Sequence, residues 1–218
     1  MLKLLQMEVI PSLNCHFKDV ACARERTRAA EGFSGWIHLD IADGRFTFNK
    51  TWGSPAEWKA LNSKLKLEVH LMVEEPEKQI MDWIEAGAER IIVHAETLSA
   101  ETAERIEALG KEHAVEMMLA FSPETRLETG REYFKRFSEY QILAVYPGLP
   151  DQVFLPIVLE KIRFLRESFP KSNIEVDGGI NLETARAVKA AGANILISAS
   201  YLFEAKDPKI AHKELLAA

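Results

Sequence analysis

Two cysteines in a chain of 218 residues are too few for a disulfide framework, and Cys15 and Cys22 read as the reduced thiols of a cytoplasmic protein. No apolar run is long enough to span a membrane, and the N-terminal stretch lacks the basic-then-apolar order of a secretory signal. Basic clusters are missing as well. The balance of 27 Lys and Arg against 33 Asp and Glu gives a formal charge of -6, which argues against nucleic acid or an acidic membrane as partner. That charge offers little long-range pull on an anion, so an anionic substrate would have to be held locally. Without low-complexity stretches or linker-like runs, residues 1–218 read as one domain, and a hydrophobic content of 47% supplies a substantial core. Apolar helix faces do not distinguish internal packing from a homo-oligomer contact.

What the chain does have is an alternation of strand-like and helix-like segments, repeated about eight times. Strands are expected near 7–11, 36–40, 67–72, 90–94, 115–121, 141–145, 173–177 and 194–198. Ser54-Pro55, Glu75-Pro76 and Asp207-Pro208 put proline where a first helical turn tolerates it, and Asn181 is an N-cap signal. Ala86-Gly87-Ala88 and Ala191-Gly192-Ala193 are helix stops that lead into strands. Eight such units predict an α/β fold of the (β/α)8 TIM-barrel type. A doubly wound open sheet is disfavoured, because no glycine-rich dinucleotide fingerprint follows the first strand.

The chemistry-bearing residues cluster at the C-terminal ends of these strands, where barrel active sites lie. In Asn173-Ile174-Glu175-Val176-Asp177-Gly178-Gly179 an apolar run ends in a carboxylate and two glycines. His38 and Asp40 are two residues apart on one strand and so point to the same face. With His70 from the third strand and Asp177 from the seventh, two imidazoles and two carboxylates can share one divalent ion. That mixture suits Zn²⁺, Fe²⁺, Mn²⁺ or Co²⁺ better than Mg²⁺ or Ca²⁺. Taken singly, each His also reads as a hydrogen-bonded interior residue and each Asp as a helix cap.

Five motifs occur in order along nearly the whole chain: Ile10-Pro11-Ser12-Leu13, His38-Leu39-Asp40-Ile41-Ala42-Asp43-Gly44, Glu68-Val69-His70-Leu71-Met72-Val73, Val145-Tyr146-Pro147-Gly148 and Glu175-Val176-Asp177-Gly178-Gly179. In order and spacing they resemble the ribulose-phosphate 3-epimerases. The resemblance implies a metal-dependent barrel enzyme that interconverts D-ribulose 5-phosphate and D-xylulose 5-phosphate at C3, and it implies zinc or ferrous iron. Carried over position by position, His38, Asp40, His70 and Asp177 are the ligands, and Asp40 and Asp177 double as acid and base. Ser12, His70, Met72, Gly148, Gly178, Gly179, Ala199 and Ser200 fall at substrate positions. His94 reads equally as a sugar contact or as an interior His satisfied by Glu96. His16, His113 and His212 read as surface residues, and Asp43 as a turn former that supports a ligand His.

The phosphate side departs from the resemblance. Where such epimerases carry Gly-Phe-Gly-Gly-Gln, this chain has Gly148-Leu149-Pro150-Asp151-Gln152, which removes an amide donor and adds a negative charge. Ala199 stands for a glycine, while Ala42 and Ala144 take methionine positions. These departures keep two other readings open: an epimerase of another ketose or ketose phosphate, and a non-catalytic barrel that only binds. A hexulose-phosphate synthase chemistry is disfavoured, since its Asp-x-Lys-x-x-Asp signature needs a lysine that Leu39-Asp40-Ile41-Ala42-Asp43 lacks.

Overall fold

A computed structural model describes residues 5–13, 15, 20–148 and 152–218. His16 and the phosphate-side residues Leu149, Pro150 and Asp151 lie outside them. Eight parallel strands follow the chain: β1 Glu8–Pro11, β2 Trp36–Ala42, β3 Lys66–Met72, β4 Ala88–His94, β5 Glu116–Phe121, β6 Glu139–Leu143, β7 Ile174–Asp177 and β8 Ile195–Ser198. They hydrogen-bond in the order β1-β8-β7-β6-β5-β4-β3-β2. Past the end of β1, a Ser12–His38 bridge and the Leu13 amide, 3.0 Å from the His38 carbonyl, bring β1 against β2 and nearly close the ring. The barrel expectation holds.

Helices α1 Val20–Ala30, α2 Pro55–Leu61, α3 Ile80–Glu85, α4 Ala100–His113, α5 Val158–Ser168, α6 Leu182–Ala191, α7 Ser200–Phe203 and α8 Pro208–Ala217 lie between and after the strands. Their starts follow the sequence signals: Ser54 accepts from the Glu57 amide, Asp207 from Lys209 and Ile210, and Asn181 forms a reciprocal capping box with Thr184. Glu75-Pro76 instead opens a 3₁₀ turn ahead of α3. Between β5 and β6 the expected helix is replaced by two 3₁₀ turns, Leu127–Gly130 and Tyr133–Lys135. A Cβ on Gly130 would meet the Phe121 ring at 2.5 Å, so this connection lies flat on the strand it follows.

Strand alternation sorts the side chains into two layers. Outward residues such as Val69, Ile91, Ile142, Val176 and Leu196 join Trp83, Ile106, Ile162 and Val188 of the helices in the main core. Inward residues fill the barrel: Ile10, Ile195 and Ile197 on one side, and Ile92, Met118 and Ala120 on another. Between them lies a buried polar layer of Glu68, Arg90, Gln141 and Glu175. His212 belongs indoors too. Although expected at the surface, it is buried and its Nε2 sits 2.9 Å from the Val9 carbonyl oxygen, tying α8 to β1.

The thiols also depart from expectation. Cys15 and Cys22 are joined as a disulfide, their Cα atoms 6.0 Å apart, within the separation that a bridge can span. No helix among the described residues is long and apolar enough to cross a membrane.

At the far end of the barrel, burial lifts the Glu139 carboxyl from its ordinary 4.5 to about 7, against a hydrogen bond from the Asn173 amide. A raised folded-state value means that the protonated form is the one the fold prefers. The stabilising contribution is complete below pH 4.5 and is lost as pH rises through about 7. Glu139→Gln should therefore flatten the fall in stability between about pH 5 and about pH 8, by about 1–2 kcal/mol after allowance for partial exposure. Urea unfolding at the two pH values checks this, and an unchanged slope would show that the carboxyl is not shifted.

Candidate active site

Parallel register converts strand positions into a cluster. Pairing of β2 with β3 sets His38 beside Glu68 and Asp40 beside His70. The His38 Nε2 atom lies 3.1 Å from Asp40 Oδ1 and 4.0 Å from Asp177 Oδ2. His70 Nδ1 lies 2.9 Å from Asp40 Oδ1 and 3.7 Å from Asp177 Oδ2. One ligand atom from each of the four residues falls within 4.8 Å of all the others. The spacing expectation, that His38 and Asp40 face the same way, thus holds together with the convergence of His70 and Asp177.

Both imidazoles are fully buried, His38 backed by a carboxylate and His70 by a third imidazole. His38 Nδ1 is 2.6 Å from Glu68 Oε1. On the other ring, His70 Nε2 meets His94 Nε2 at 2.8 Å, and His94 Nδ1 meets Glu96 Oε2 at 3.1 Å. Glu96 in turn accepts from the Ser122 amide at 2.8 Å. His94 is therefore the interior residue satisfied by Glu96, and it does not reach the cavity wall. Asp43 accepts from the amides of Arg45, Phe46 and Glu74 and so shapes a turn.

The two aspartates differ in electrostatics although they share the site. Burial opposes ionisation of Asp40, but the adjoining His38 and His70 outweigh it and hold the carboxyl well below its usual range. Asp177 is raised to about 7, first by burial and then by the negative charge of Asp40. Burial and the neighbouring His94 and His38 lower His70 to about 4, despite its bond to Asp40. For His38 the carboxylates of Asp40 and Glu68 overcome burial and push it well up. Near neutral pH one aspartate is an ionised acceptor and the other is poised to hold a proton.

Above the imidazoles opens a cavity lined by Ser12, Asp40, Met72, Gly148, Asp177, Gly178, Gly179, Ala199 and Ser200, which collects the remaining expected site residues on one surface. Ser12 donates to Asp40 Oδ2 at 3.1 Å. Thr51 donates to the Asp40 carbonyl at 2.7 Å and fixes the end of β2. Gly178 and Gly179 have φ of 107° and 66°, and added Cβ atoms would meet Val145 at 2.5 Å and Phe154 at 2.9 Å, so this loop requires glycine twice. Thr184 donates to the Gly179 carbonyl at 2.8 Å, tying the loop to α6.

Several lining residues had no sequence signal. Asn49, Lys50 and Thr51 reach the cavity from the loop after β2, and Asn49 also donates to the Gly148 carbonyl. On β6 the wall residue is Leu143, whereas Ala144, which takes one of the methionine positions, packs in the outer core. The ladder on β6 runs two residues earlier than expected, which changes which residues of this segment count as strand.

Against known proteins, residues 8–203 match the model of the Ribulose-phosphate 3 epimerase family. Curated ribulose-phosphate 3-epimerases are similar over most of the chain. The protein of Chlamydia trachomatis serovar D is 38% identical over 91% of this chain and 88% of its own, and that of Bacillus subtilis is 34% identical over 96% and 98%. Among solved structures, 3-hexulose-6-phosphate synthase from Salmonella typhimurium aligns with a TM-score of 0.71 at 14% identity, over 97% of each chain. A tryptophan synthase alpha-subunit from Pyrococcus furiosus aligns at 0.67 and 14%, over 99% of this chain and 100% of that one. At such identities the structural likeness shows the barrel fold alone.

Proposed function

The chain belongs to the ribulose-phosphate 3-epimerase family, and from that membership and the site we propose that it interconverts D-ribulose 5-phosphate and D-xylulose 5-phosphate at C3 with the help of one divalent cation. It is an enzyme of the isomerase class, and a phosphosugar is its substrate. The observation that carries the finer reading is the convergence of Asp40 and Asp177, from β2 and β7, on the same pair of imidazoles.

A two-nitrogen, two-oxygen donor set with mutual distances within 4.8 Å fits a borderline transition ion. His38, Asp40, His70 and Asp177 would hold Zn²⁺ or Fe²⁺, with Mn²⁺ or Co²⁺ as substitutes. When bound, the cation supplies positive charge opposite the oxyanion that develops as the C3 proton leaves. The protein supplies the proton transfers. Epimerisation needs one group to take the proton from C3 and another to return one to the opposite face, since a single base working on one face regenerates the substrate. Asp40, kept ionised, suits the acceptor role, and Asp177, readier to hold a proton, suits the donor role; the reverse reaction exchanges them. In the ring, β2 and β7 are separated by β1 and β8, so the two carboxyls approach from different sides. Ser12 and Met72 would line the sugar, while Gly148, Gly178, Gly179, Ala199 and Ser200 would face the phosphate.

The test is conversion of D-ribulose 5-phosphate in D₂O by cation-loaded protein. The product should be D-xylulose 5-phosphate carrying deuterium at C3. Conversion without label would remove the acid–base scheme. Failure on this sugar with exchange on another ketose would move the assignment to that substrate.

A further inference from the structure

We propose that Arg90, remote from the cavity, is a positioning residue that acts through Glu68 to present the correct ring nitrogen of His38 to a divalent cation. The proposal rests on the cation site inferred above. Register places the three side chains in one layer, with His38 paired to Glu68 across β2 and β3 and Glu68 to Arg90 across β3 and β4. Glu68 divides its oxygens: Oε1 lies 2.6 Å from His38 Nδ1, and Oε2 is ion-paired with Arg90 Nη1.

Arg90 itself is clamped. Its Nε and Nη2 donate to the two oxygens of Glu116 at 3.0 and 3.3 Å, its guanidinium carbon lies 4.7 Å from the Trp36 ring centroid, and Nη1 is 3.7 Å from Glu175 Oε2. A guanidinium held on these sides cannot follow a moving carboxylate, so it fixes the Glu68 rotamer. The carboxylate then accepts Nδ1–H of His38, so that when the other proton leaves as a cation binds, the lone pair is on Nε2, on the side of Asp40 and Asp177. Neither Arg90 nor Glu68 lines the cavity, so neither can act on substrate directly.

The fixed orientation makes an unusual sign prediction. In Glu68→Gln the amide oxygen should turn to Arg90, a donor only, and its NH₂ to His38, forcing the tautomer with hydrogen on Nε2. Removing the arginine as well frees the amide to turn back. Titration of metal-free protein with Co²⁺ against a competing chelator should show binding weakened about 10- to 100-fold in E68Q and in R90M. The E68Q/R90M double variant should bind at least about threefold more tightly than E68Q alone. Near-UV circular dichroism and thermal unfolding of the metal-free proteins establish that each is folded; should R90M not fold, R90Q, whose amide can accept as well as donate and so does not hold the amide oxygen introduced by E68Q, replaces it in both backgrounds. Wild-type affinity in E68Q, or a double variant weaker than E68Q, overturns the relay. A wild-type protein that takes up no Co²⁺ overturns the cation site, and the relay with it.

Discussion

Asp177→Asn should lower turnover by about 10³-fold or more while the barrel stays folded. The amide is nearly isosteric with the carboxyl, but it can neither deliver nor take up the proton at one face of the substrate. The surroundings tolerate the change, because the carboxyl is already raised to about 7 by burial and by Asp40, so a neutral group suits its position. A further consequence separates lost acid–base function from general damage. With Asp40 intact, one epimer should still exchange its C3 proton with solvent, since abstraction and return on a single face need only one carboxyl. Inversion should be lost for both. Cation content is measured alongside, because Asp177 is also a proposed ligand. Near-wild-type turnover at full cation content would remove Asp177 from the acid–base pair.

Legibility of the site in the sequence followed strand periodicity. His38 and Asp40 two apart, and Asp177 at the end of an apolar run, are visible because alternation fixes the facing of side chains and strand ends fix their height. The partners beneath them were not. Alternation puts Glu68 and Glu175 on the same face as His70 and Asp177, but only closure of the sheet turns the lower part of that face into a dry interior, where Arg90 pairs with Glu68 and burial beside Glu68 pushes the Glu175 carboxyl well up. His94 carried two readings until the ring position of β4 set its Nε2 against His70. The disulfide was illegible for a related reason: compartment statistics speak to populations of thiols, whereas the Cα separation that lets one pair meet, 6.0 Å here, is a property of the folded chain. The missing helix between β5 and β6 traces to close packing on Phe121, a tertiary contact that no local propensity encodes.

Chelation should abolish at least about 10³-fold of the turnover, and the loss should be reversible without refolding. The loss of rate follows from the acidity of the substrate. A hydrogen on carbon beside a ketone is too weakly acidic for an unaided carboxylate to remove at a useful rate, so stabilisation of the adjacent oxyanion sets the barrier. Within the site, the charge of His38 is offset by Asp40, His70 is lowered to about 4 and Asp177 tends to hold a proton, so the cluster offers little net positive charge of its own at the cavity floor. Reversibility follows from the same contacts. Asp40 stands within hydrogen-bond distance of both His38 and His70, and Glu68 and His94 hold the far side of each ring, so the side chains satisfy one another without a cation. The chelated protein should therefore keep its near-UV circular dichroism and unfold cooperatively, at a lower temperature than the loaded form because a ligand of the native state has been withdrawn. Adding back Zn²⁺, Fe²⁺, Mn²⁺ or Co²⁺ in turn should restore activity to different extents and rank the ions, whereas Mg²⁺ should restore little, since two nitrogen donors suit it poorly. Full activity in protein shown by elemental analysis to be free of divalent metal would sink the cation reading and leave a two-carboxylate epimerase in its place.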